Sequence, residues 1–93
     1  MVTTNVVHMN TYGEQLEAAL ATQIKVELLE RDMTQTELAE AAGVGRPAMN
    51  RYLKGRQSMP MPTFFAVAGV LGLSPRVLMQ RAEARVQPEA QTA

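Results

Sequence analysis

Leu16, Leu20, Ile24 and Leu28 recur at four-residue steps, with Ala19 and Leu29 beside them and Glu14, Glu17, Lys25 and Glu30 among the polar positions between. That period marks a helix with one apolar face. Thr11 followed by Glu14 has the spacing of a capping box, in which each side chain satisfies a backbone donor of the first turn, so the helix is predicted from about Tyr12 to about Arg31. The same spacing recurs at Thr34 and Glu37, ahead of Leu38, Ala39 and Ala42, and predicts a second, short helix over about 35–42 that Gly43 ends. Gly45 and Pro47 suit the start of a third helix, because first-turn amides have no helical partner and proline has none to lose. This helix is expected from about Arg46 to Leu53 or Lys54, closed by Gly55. The segment RQSMPMP reads as a loop over 56–62, since closely spaced prolines disfavour a regular ladder. Phe64, Val67, Ala68 and Leu71 share one side of a fourth helix from about Pro62 to Leu71, stopped by Gly72. Ser74 and Pro75 form a cap and first-position pair for a fifth, which turns Val77 and Leu78 inward. The pattern predicts an all-α chain: a flexible arm over 1–10, one helical domain over 11–84 and a flexible polar tail over 85–93.

Composition narrows the chemistry. With 93 residues, 46% of them hydrophobic, the chain can build one modest core and not two. It has no cysteine and one histidine, His8 in the expected arm, which excludes disulfides, thiolate chemistry and a zinc cluster. The sequence offers no Gly-rich phosphate loop, no paired-carboxylate geometry and no Ser-His-Asp set, so the expectation is a non-enzymatic protein without cofactor or metal. No apolar run approaches the length that spans a bilayer, and MVTTNVVHMN lacks the basic and apolar blocks of a signal peptide. A cytoplasmic protein without membrane contact is expected.

The zero net charge conceals a sorting. Residues 1–40 carry seven acids against Lys25 and Arg31, a balance of −5, whereas residues 41–82 carry Arg46, Arg51, Lys54, Arg56, Arg76 and Arg81 and no acid, a balance of +6. A neutral chain sorted in this way can still present a positive face. Lys25 and Arg31, in the acidic half, are expected to make ordinary helix-surface pairs with neighbouring glutamates. Phe64, Tyr12, Tyr52, Met33 and Met49 are assigned to packing at helical spacing, with the Tyr52 hydroxyl also able to reach a phosphate.

Two short helices joined by a tight glycine turn, the second basic and free of acids, are built to lay a helix in the DNA major groove. The stretch TQTELAEAAGVGRPAMNRYLKGR, Thr34 to Arg56, resembles the lambda-repressor-like, Cro-type helix-turn-helix family, and MPTFFAVAGVLGLSPRVL resembles the remainder of its five-helix domain. The resemblance covers about Leu20 to Leu78 and implies that helices two and three form the helix-turn-helix. It implies a transcriptional regulator, like a small phage repressor, that binds palindromic half-sites of double-stranded DNA as a homodimer. Leu38, Ala39, Val44, Met49 and Tyr52 match the positions that lock the two helices together. Arg46, Pro47, Ala48 and Arg51 match outward positions of the recognition helix. Arg46 and Arg51 are the expected base readers, because a guanidinium fork fits the two acceptors of guanine, with Asn50 nearby for adenine or a phosphate. Pro47 limits readout at its position to an apolar contact. Gln35, Lys54 and Arg56 match positions that hold the phosphate backbone. Val77 and Met79 are candidates for the dimer contact.

Two departures from the family pattern stand out. Leu28 and Leu53 align where many relatives pair an arginine of helix one with a glutamate of helix three, so an apolar contact is expected in place of an ion pair. The loop after the third helix is one residue longer than in the shortest relatives. The competing reading is an antitoxin-like helix-turn-helix protein whose main task is to engage a protein partner through its acidic first helix.

Overall fold

The computed structural model describes residues 11–86, which form five helices: α1 Tyr12–Glu30, α2 Gln35–Ala42, α3 Arg46–Leu53, α4 Met61–Leu71 and α5 Pro75–Glu83. No strand occurs among the described residues. The arm expected over 1–10, with His8, and residues 87–93 of the expected tail lie outside them.

Both predicted capping boxes close. Thr11 Oγ1 accepts from the Glu14 amide and Glu14 Oε1 from the Thr11 amide, each at 3.1 Å. The Thr34 and Glu37 pair does the same at 3.0 and 2.8 Å. Satisfying these first-turn donors stabilises an eight-residue helix that propensity alone would leave marginal. Gly43 ends α2 at a φ of 72°, a left-handed conformation that lets the Val44 amide reach back to the Ala39 carbonyl at 2.9 Å. Asp32 takes the corresponding position after α1 at a φ of 52°, with Met33 N–H donating to the Leu28 carbonyl. A side chain there carries a steric cost that glycine avoids, so Asp32→Gly is expected to raise stability by about 0.5 kcal/mol in a chemical-denaturation series.

α1 lies along α5, α2 is wedged between α3 and α4, and their facing sides meet in one core. Ile24, Leu38, Ala39, Met49, Val67, Ala68 and Leu78 are wholly buried there. Phe64 is buried while its neighbour Phe65 is exposed, as the α4 period predicts. Leu16 is half-buried at the end of the α1 stripe. Leu29 departs from it: it is 78% exposed, one residue past the stripe and turned from the core.

Leu28 and Leu53 are both buried in this core. Because Leu53 is the last residue of α3 and its surroundings can partly relax, Leu53→Ala is expected to cost about 2–3 kcal/mol, read from urea unfolding midpoints.

The polar part of the interior is the feature that the apolar period does not announce. Glu27 and Gln23 lie on the buried side of α1. The Glu27 carboxylate accepts from Arg81 Nη1 at 2.8 Å, from Arg31 Nη1 at 2.6 Å and from Gln23 Nε2 at 2.7 Å. Gln23 Oε1 in turn accepts from Arg85 Nε, and Arg31 Nε donates to the Leu71 carbonyl at the end of α4. Burial by itself pushes the Glu27 carboxyl up, but the bonds from Arg81, Gln23 and Arg31 outweigh it and hold its pKa below the ordinary value. The same contact holds the Arg81 guanidinium above its own ordinary value. Arg31 thus pairs with a glutamate as expected, but in a half-buried clamp joining α1 to α4 and not on an ordinary surface. The charged pair absent at positions 28 and 53 has a counterpart one residue earlier, linking α1 to α5. Arg85 joins this network and Val86 is buried, so the first two residues of the expected tail pack against the helices. Tyr12 adds a peripheral strap, its hydroxyl donating to Glu83 Oε2 at 2.6 Å, which raises the tyrosine pKa.

Candidate nucleic-acid interface

α2, the Gly43 turn and α3 form a compact helix pair held by Leu38, Ala39 and Met49, all wholly buried where the helices meet. Val44 and Tyr52 are half-buried against the same cluster. This seam fixes which side of α3 remains outside. Met49 and Leu53 face inward, so Pro47, Arg51 and Lys54 project from the opposite side at helical spacing, and all three are exposed. Arg46 is exposed at the first position of α3. Asn50 is half-buried beside this surface, and so is Ala48, which leaves it little free edge.

Arg56 continues the exposed basic surface past Gly55, where the chain folds back and the Arg56 amide donates to the Arg51 carbonyl at 2.9 Å. Among the described residues, none of Arg46, Arg51, Lys54 and Arg56 pairs with a carboxylate. Four exposed cations therefore lie along α3 and just past its end with no carboxylate paired to them among the described residues. Arg76 is also exposed, at the start of α5. Arg81, which belongs to the acid-free half of the sequence, is not available in the same way, because its guanidinium is engaged by the buried Glu27.

Gln35 is half-buried at the first position of α2. The Glu37 carboxylate returns to the Thr34 amide in the same turn and offsets the positive helix end, so Gln35 can orient a phosphate but adds no charge to the surface. Sequence reasoning put Arg46, Pro47, Asn50, Arg51, Lys54 and Arg56 on or just beyond one helix, and they lie on α3 or just past its end. It missed Gln57, whose Oε1 accepts from Arg51 Nε at 2.7 Å. No periodicity connects a helix residue with a loop residue across a glycine reversal.

The fold and this basic helix define a class, the all-α helix-turn-helix proteins. A family model described as helix-turn-helix matches residues 24–78, more than half of the chain, and the chain belongs to that family, in its lambda-repressor-like branch of DNA-binding proteins. Among solved structures it is similar to the clp gene regulator ClgR of Corynebacterium glutamicum, with a TM-score of 0.74 and 23% identity over 83% of this chain and 82% of that one. That likeness shows a shared fold. Comparison with curated protein sequences gives no significant match.

Proposed function

We propose that the protein is a sequence-specific transcriptional regulator of the phage-repressor type, which lays α3 in the major groove of double-stranded DNA. The observation that carries this reading is the run of exposed cations on α3 and its end, none paired with a carboxylate among the described residues, set on a buried two-helix seam. In this reading Arg46, Pro47, Asn50 and Arg51 face base edges, and Gln35, Lys54 and Arg56 hold phosphates. An eight-residue helix covers only a few base pairs, which favours a homodimer on palindromic half-sites about one helical turn apart. Val77 and Met79 are both half-buried within the chain, so they can give such a contact only part of their surface. The proposed site of action is the cytoplasm.

Gripping phosphates releases counterions, so affinity must fall with salt, by nearly one unit of logarithmic slope per neutralised phosphate. With two copies bound and some cations facing bases, the slope of log affinity against log salt is expected to be about −4 to −8. Fluorescence anisotropy with a duplex selected from random DNA measures it. Replacing both Arg46 and Arg51 by Ala is expected to cost about 1–3 kcal/mol per arginine and to loosen sequence preference, whereas replacing Lys54 or Arg56 weakens all duplexes about equally. No binding at low salt would defeat the regulator reading and leave the protein-partner alternative.

A further inference from the structure

The loop after α3 is fastened on both sides of Gln57. Before it, the reversal at Gly55, with a φ of 72°, brings the Arg56 amide onto the Arg51 carbonyl. After it, Ser58 Oγ donates to Glu17 Oε1 on α1 at 2.8 Å, and Met59 is half-buried against the core. A residue pinned between such anchors has little freedom to leave its neighbour, and that neighbour is Arg51. Of the five N–H donors of a guanidinium, the one on Nε is taken by Gln57 Oε1 at 2.7 Å. The terminal Nη1 and Nη2 groups of Arg51 make no hydrogen bond within the described residues.

We propose that Gln57 is a positioning residue for base recognition: by holding Nε it presents the terminal edge of Arg51, so that Arg51 meets guanine end-on, with Nη1 and Nη2 toward O6 and N7. The proposal rests on the reading that α3 enters the major groove. Its physical content is pre-organisation. A long arginine loses rotamer freedom when it binds, and a bond already formed in the free protein removes part of that loss from the binding step. The bond also removes the alternative side-on approach, which needs Nε, and so narrows the geometry in which a base is accepted.

The test uses the whole chain and a duplex selected by the wild type, compared with duplexes changed one base pair at a time. Arg51→Ala is measured first and must lose preference at one base pair. If it does not, Arg51 is not a base reader and the reading on which the proposal rests is overturned. Gln57→Ala is expected to lower the preference at that same base pair by about 3- to 10-fold, the worth of one hydrogen bond, with unchanged melting temperature and unchanged affinity for unrelated duplexes. Adding Gln57→Ala to Arg51→Ala should reduce that preference no further. Gln57→Lys removes the acceptor while adding a cation, so it should bind all duplexes more tightly and still discriminate less. Gln57→Glu keeps the acceptor, so its discrimination should stay at the wild-type level although added negative charge weakens overall binding. Loss of preference in Arg51→Ala with full preference in both Gln57→Ala and Gln57→Lys would overturn the positioning role alone.

Discussion

Ala39→Glu is expected to leave no folded protein at room temperature. Ala39 is wholly buried in the seam between α2 and α3, and its carbonyl accepts the Val44 amide that shapes the turn. A glutamate there adds volume to a closed contact, an overpacking cost of about 1–3 kcal/mol. It also forces a carboxyl into a dry site with no cation provided, which costs several kcal/mol more or obliges the acid to stay protonated. A domain of this size has a total stability of about 4–11 kcal/mol, so the two costs together approach or exceed it. Ala41→Glu is the control, on the same helix but exposed, and should move stability by no more than about 0.5 kcal/mol. Circular dichroism melting of both variants checks the prediction. A cooperative transition for Ala39→Glu at the wild-type temperature would show that the seam is misplaced.

Glu27→Ala is expected to remove about 3–4 kcal/mol, toward the lower end for a broken buried pair. The carboxylate is wholly buried, but its two arginine partners reach water and can recover part of their hydration once it is gone. The consequence extends to pH. The Glu27 pKa in the folded state lies below its ordinary value of 4.5, so the unfolded chain binds the proton more readily. The stabilisation is therefore complete above the unfolded pKa and is lost as pH falls through the lowered folded one. Wild-type stability should be flat from neutrality to about pH 5 and decline below it, with Glu27→Gln giving a shallower decline because its amide does not titrate. Urea unfolding at several pH values measures both. Equal acid slopes for the wild type and Glu27→Gln would place the sensitivity at other carboxyls.

The order and bounds of the five helices were legible because their signals are local. The boxes at Thr11 and Thr34, the glycine stops at 43 and 72 and the four-residue apolar steps all act within one or two turns, where sequence neighbours are also spatial neighbours. The exposed side of α3 was legible for the same reason, since burying Met49 and Leu53 obliges Pro47, Arg51 and Lys54 to face outward. Gln23 and Glu27 are polar residues beside the apolar stripe, and nothing along α1 could say that they are buried or what neutralises them. That was decided by Arg81, 54 residues away, which the packing of α5 along α1 turns toward Glu27. The same packing removes Arg81 from the basic half and draws Arg85 and Val86 into the structured body. Gln57 meets Arg51 only because the chain reverses at Gly55 and the loop is tied to α1 through Ser58. Sequence alone determines which charges a segment carries, because charge is a property of residues. Which of those charges remain free is a property of contacts between segments, and a buried carboxylate recruits the nearest cation in space, which the chain order does not reveal.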